Sequence, residues 1–271
     1  MALATLASLE ANRIELVAFA KTTPGNGSLF KTLWAAPNIP AAGGYDTTLN
    51  GATCSSTTAG ALPFINPASG ITILSRMELN HISTASGQNY MLCDRLWHNG
   101  GFDATSTSAQ NITSPTWPAR DKEAGTSGKG VYLALEISAV MGAGTPTVTI
   151  SYTNTAGTAG RSATNIMATV TASATATAVF IGLQGGDLGV KSVESLTLSA
   201  TWTSGTINLV AYRPIIMIPS ATMTVDQEPA VFDALSCGVN KIIDSSCLYF
   251  MRRGSALLGD APNGFIQYAQ G

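Results

Sequence analysis

Charge is what this chain has least of. Asp, Glu, Lys and Arg make up 11% of its 271 residues, 16 acids against 14 bases, for a net charge of −2. A soluble domain carries about 25% charged residues. A nucleic-acid footprint needs clustered Lys and Arg, and the one adjacent basic pair, Arg252-Arg253, reads as a solvated strand end. Direct nucleic-acid binding is therefore not expected. Long apolar runs are missing too: Ala211–Pro219 is interrupted by Arg213 and Pro214, far short of the roughly 20 residues of a spanning helix, so no membrane role is expected. The N-terminal stretch lacks a basic flank, and Glu10, Arg13 and Glu15 break its apolar run. It does not read as a secretory signal, and synthesis in a cytoplasm is the expectation.

Catalytic chemistry is equally thin. The two histidines, His81 and His98, have no metal-ligand spacing to each other or to Asp94 and Asp103. No Gly-x-Ser-x-Gly elbow, His-Glu-x-x-His, Walker loop or dinucleotide fingerprint occurs. Glu136 and Glu194 on strands and Asp187 in a turn are the acids from which a glycoside-cleaving pair would be drawn, but outward-pointing strand charges explain them as well. The EF-hand pattern is absent around Asp187. The chain is expected to be no enzyme and to use no cofactor or metal. Four cysteines form no Cys-x-x-Cys. Reduced, partly buried thiols are the ordinary reading, and Cys237 with Cys247 is the candidate pair for a bridge in an oxidising medium.

What is present is β-structure. Residues 1–60 begin with Leu3, Leu6, Leu9, Arg13, Ile14 and Val17, spaced for a short amphipathic helix or a docking arm. Turn formers follow at a density that suggests loops rather than core. Residues 61–220 carry short alternating runs. Val131, Leu133, Leu135 and Ile137 share one face, as do Val148, Ile150 and Tyr152. Further runs lie at 71–79, 89–93, 166–171, 178–183, 193–201 and 206–212. Turn signals separate them without helical patterns between, which predicts an all-β antiparallel sandwich, with a jelly roll one way to order the strands. Residues 221–271 add two terminal strands, around 247–251 and 264–268, that pair as a hairpin or extend a neighbour's open sheet edge.

The interface candidates follow from this plan. Trp34 and Trp117 sit among prolines in loops, and aromatic residues dominate many interfaces. Leu248, Phe250, Phe265 and Tyr268 are the large apolar residues of the terminal strands. A rival of another class is a receptor- or glycan-binding module, which would expose Trp202 or Tyr152 as a stacking platform.

Four segments resemble structural proteins of tailed bacteriophage virions: Leu92-Cys-Asp-Arg-Leu-Trp-His-Asn-Gly-Gly101, Asn111-Ile-Thr-Ser-Pro-Thr-Trp-Pro-Ala-Arg-Asp121, Thr149-Ile-Ser-Tyr-Thr-Asn-Thr-Ala-Gly-Thr-Ala-Gly-Arg161 and Ile266-Gln-Tyr-Ala-Gln-Gly271. They lie between residues 90 and 271, and no catalytic role comes with them. The resemblance implies a virion component made in a bacterial host, either a head decoration or cement protein or a neck, collar or tail part. Its partners would be copies of itself and major capsid or neck and tail proteins. Low charge suits that role, because burying unpaired charge at many interfaces is costly. The N-terminal arm and C-terminal strands would clamp neighbouring subunits.

Overall fold

The computed structural model describes residues 7, 17–21, 30–63, 71–80, 88–166, 175–220, 230–234, 236, 240–253 and 262–271. In chain order the strands are β1 (Val17–Lys21), β2 (Phe30–Thr32), β3 (Asn38–Ile39), β4 (Ala52–Thr53), β5 (Thr72–Asn80), β6 (Gln88–His98), β7 (Gln110–Asn111), β8 (Tyr132–Ala139) and β9 (Thr147–Asn154). They continue with β10 (Arg161–Ile166), β11 (Ala178–Ile181), β12 (Val190–Leu198), β13 (Thr206–Ser220), β14 (Ala230–Asp233), β15 (Lys241–Ile242), β16 (Leu248–Arg253) and β17 (Asn263–Gln270). All strand pairs among these are antiparallel. The expected all-β antiparallel class is what the chain adopts.

A seven-stranded sheet in the order β11-β8-β13-β6-β16-β2, with β4 beside β6, curls until its edges meet. Lys31 of β2 bridges Thr177, and the Thr32 amide donates to the Ala176 carbonyl at 2.8 Å. The result is a nearly closed barrel. Its outer face is shared between two further sheets. At one end it packs on the four-stranded sheet β10-β9-β12-β7 through Leu133, Leu135, Ile137, Leu209, Ile150, Tyr152 and Leu196. At the other end it packs on the six-stranded sheet β14-β5-β17-β1-β3, with β15 on β5, through Tyr90, Leu92, Phe250, Met77, Ile266 and Tyr268.

This arrangement explains the burial along each strand. β9 alternates strictly, since one face meets the core and the other meets solvent. In β8, residues Leu133–Ile137 are buried throughout, because odd positions face the four-stranded sheet and even positions face the barrel interior. β13 runs 15 residues and serves both outer sheets. It continues past Pro214, beyond the run expected at 206–212. Proline has no amide to donate, and the register shift between Pro214 and Ile216 supplies the irregularity that tolerates it.

The terminal strands do not form a hairpin with each other. β16 lies between β6 and β2, and β17 between β5 and β1, so both sides of each are occupied within the chain. The turn-rich stretch from 30 to 62 is also not a peripheral loop set. Leu33, Trp34, Ala36, Cys54, Ala61 and Leu62 are all buried. Of the residues spaced for an N-terminal helix, Val17 begins β1, and the others lie outside the described residues, as does most of the run at 166–171.

Candidate functional site

The barrel interior holds the densest chemistry in the chain. Arg95 points inward from β6 and Glu136 from β8, both with side chains 0% exposed. Arg95 Nη1 donates to Glu136 Oε1 and Oε2 at 3.1 and 2.9 Å, and its Nε donates to His98 Nδ1 at 3.1 Å. The Tyr45 hydroxyl donates to Glu136 Oε2 at 2.8 Å. The guanidinium carbon lies 4.4 Å from the Trp34 ring centre and 5.3 Å from those of Tyr45 and Tyr249, distances at which a cation is drawn to an aromatic face. Burial, reinforced by the Glu136 charge, raises the Tyr45 hydroxyl well above its ordinary pKa, so it stays a donor. The cluster is closed, and among the described residues Arg95 Nη2 and the Tyr249 hydroxyl within it find no hydrogen-bond partner.

On the outer face of the barrel, where the two flanking cores meet, Asp94 forms a second node. Its Oδ2 accepts from Arg120 Nε at 3.1 Å and Ser246 Oγ at 2.9 Å, and its Oδ1 accepts from the Cys247 amide at 2.9 Å. Arg213 Nη2 reaches the same Oδ2 only at 3.5 Å. At the barrel seam, burial and the neighbouring Arg252 pull the Lys31 amine down to about 8, while its Nζ donates to Thr177 Oγ1 at 2.7 Å.

A third feature is the loop from 121 to 130. The buried Asp121 carboxylate accepts from the amides of Glu123, Gly125 and Gly128 and from the Ser127 hydroxyl, at 2.7–3.1 Å. Burial alone would raise this acid, yet these donors outweigh it and hold its pKa below the ordinary value. Gly128 is required here: its φ is +80°, and a Cβ would lie 1.9 Å from the Val190 carbonyl oxygen. The loop, the start of β8, the middle of β13 and β15 border a cleft of about 580 Å³, lined by Lys122, Glu123, Tyr132, Arg213, Ile215 and Lys241 among others.

Most of the predicted interface residues lie in the interior. Trp34, Trp117, Leu248, Phe250 and Tyr268 are each at most 2% exposed, whereas Phe265 is 39% exposed on the outward face of β17. Trp202 and Tyr152, the proposed sugar platforms, are both 0% exposed and build the core under the four-stranded sheet. Arg252 is buried rather than solvated. Cys237 lies outside the described residues. Cys247 is a free buried thiol, and the sulfur within hydrogen-bonding reach of it is that of Cys54.

The three acids considered for catalysis are kept apart. Glu136 is in the barrel. Glu194 accepts from Ser151 and Thr153 on one face of β9. Asp187 accepts from Asn154 on the other face and from Arg161, whose hydrogen bond first and that of Tyr152 next hold its pKa down to about 2. His98 is engaged with Arg95, and His81 lies outside the described residues. Among the described residues no three His, Cys, Asp or Glu side chains gather as a metal site, and no helix is long and apolar enough to cross a membrane.

These features define an antiparallel β-protein whose barrel is filled by a buried ion pair and flanked by two sheets. No family model matches the chain, and no curated protein matches it. Among solved structures it has a weak similarity to viral capsid particles. The infectious bursal disease virus VP2 subviral particle aligns at 9% identity over 97% of this chain and 82% of that one, with a TM-score of 0.18. The T=1 particles derived from infectious bursal virus align at 9% identity over 96% and 79%, with a TM-score of 0.16. Similarity at this level carries no argument about fold or function, which rest here on the chain's own residues.

Proposed function

We propose that the chain is a non-enzymatic structural subunit of a virus particle, a capsid decoration or cement protein of a tailed bacteriophage that reinforces the shell through contacts between subunits. The observation that supports this reading most is the combination of a charge-poor sequence with charges spent inside the protomer. Of its 30 charged residues, Lys31, Asp94, Arg95, Arg120, Asp121, Glu136, Arg213 and Arg252 are buried, which thins an already charge-poor surface further. Such a surface docks without the cost of desolvating unpaired ions.

The outer face of the six-stranded sheet is the contact face in this proposal. Phe265 and Val231 both pair in register with Glu78, from opposite sides, and are 39% and 47% exposed. They flank Glu78, which lies between them and pairs with Arg76. Because β16 and β17 are enclosed in the chain's own sheets, the contact is through side chains of this face rather than by lending a strand. Phe265→Asp is expected to leave thermal unfolding unchanged and to reduce incorporation into particles at least tenfold, since a charge would be buried unpaired at the contact. Incorporation at the wild-type level, measured by quantitative immunoblot of purified particles, would remove this face from the proposal.

A further inference from the structure

The barrel wall is interrupted where two strands meet end to end. β13 takes one edge of β6 along its whole length, so β4 and β16 share the other. β4 pairs with Trp97 and His98, and β16 with residues 89–94. Between them one residue from each segment meets β6. The Cys54 amide donates to the Leu96 carbonyl at 2.9 Å, and the Cys247 carbonyl accepts from the Arg95 amide at 2.8 Å. Two residues on from Cys54 and two back from Cys247, the Ser56 amide donates to the Ser245 carbonyl at 3.0 Å. The segments thus pass each other antiparallel, with the two cysteines opposite.

On the outer face an ion pair fastens this junction. Arg120 Nη2 donates to the Cys54 and Arg95 carbonyls at 2.7 and 3.0 Å, and its Nε holds Asp94, which accepts from the Cys247 amide. On the inner face sulfur meets sulfur. Both cysteine side chains enter the barrel core with Trp34 and Tyr249, each within hydrogen-bonding reach of the other. Both are free thiols. Cys93 shares the same core, but its thiol is turned to the Met91 carbonyl at 3.8 Å.

We propose that Cys54 and Cys247 form a redox-sensitive fastening, a disulfide made in place when the protein meets hydrogen peroxide, which locks the break in the barrel wall. The Cys54 thiolate attacks one peroxide oxygen, the O–O bond breaks, and the departing hydroxide takes up the thiol's proton as water. The Cys247 sulfur then attacks the sulfenic acid on Cys54. The S–S bond forms, the S–O bond breaks, and a second water leaves with the Cys247 proton. Two thiols are oxidised to a disulfide, and one peroxide is reduced to two waters. Cys54 is the attacking group. The hydrogen bond from Cys247, then that of His98 and the nearby charges, hold its thiol well below the ordinary pKa despite burial, whereas burial raises Cys247. Peroxide is small and neutral, which suits a pair at most 2% exposed. Because the bond joins segments from opposite ends of the sequence, it closes a long loop and strongly restricts the unfolded chain. The fastening holds whether or not the chain belongs to a virus particle.

The test treats the reduced, purified full chain with a small molar excess of hydrogen peroxide, alkylates it in denaturant, and maps the non-reduced digest by mass spectrometry. A peptide joining Cys54 to Cys247 is expected, with Cys93 recovered alkylated. The thermal midpoint should rise by at least about 5 °C over the reduced protein and return on treatment with dithiothreitol. Cys237→Ser should behave as the wild type, and Cys54→Ser should show no such rise. Mapping of the wild-type chain needs neither variant to fold. Three results would overturn the proposal: no Cys54–Cys247 peptide after peroxide, Cys247 joined to Cys237 or Cys93 instead, or the expected peptide with an unchanged midpoint.

Discussion

Replacing Glu136 by Ala is expected to destabilise the protein by about 3–5 kcal/mol, the usual cost of leaving a buried partner charge uncompensated. Among the described residues Arg95 has no other carboxylate partner: its Nε is on His98 and its plane lies over Trp34, Tyr45 and Tyr249. The Tyr45 hydroxyl would lose its acceptor as well. Equilibrium unfolding in urea reads the effect directly. The double replacement Arg95→Met with Glu136→Leu should recover most of the loss, because a buried ion pair is often no better than an apolar pair of similar volume. As a control, Glu123→Ala breaks an ion pair that is largely exposed and should cost no more than about 1 kcal/mol. A Glu136→Ala variant as stable as the control would mean that the pair is open to water.

Trp34→Ala should have an effect of similar size, about 3–5 kcal/mol. The side chain is 0% exposed, and its Nε1 donates to the Gly44 carbonyl at 2.7 Å. It meets His98 and Tyr249 edge-on at 5.9 Å. Gly43 packs so closely that a Cβ there would lie 2.3 Å from the ring. The loss should appear in urea unfolding of the isolated protomer and be independent of protein concentration. An interface role for Trp34 would instead leave protomer stability unchanged and weaken association alone.

That contrast marks the limit of what local sequence conveys. The strands of the four-stranded sheet were legible because one face is wet and the other dry, so Val148, Ile150 and Tyr152 announce their side by alternation. Residues 30 to 62 were not, because Gly and Pro density reports only on the local backbone. Trp34 is buried by β6 and β16, which lie about 60 and 215 positions further along the chain, and no short window contains that fact. The charged residues were misjudged for a related reason. On a lone strand Glu136 reads as outward-pointing, and only the closure of β2 toward β11 turns that face into an interior. One signal was available: in Leu92-Cys-Asp-Arg-Leu-Trp-His98, apolar residues occupy both registers around Asp94 and Arg95. A strand apolar on both faces is buried on both, so the two charges within it had to be buried and paired. The cleft was beyond reach, since Lys122, Arg213 and Lys241 are brought together only by the strand order.

The decisive observation is the abundance of the chain in purified virus particles, measured by quantitative mass spectrometry against the major shell protein. A decoration subunit should be present in a ratio comparable to the shell protein, and a ratio far below it would move the chain to the neck or tail. Absence from washed particles would contradict a virion role altogether.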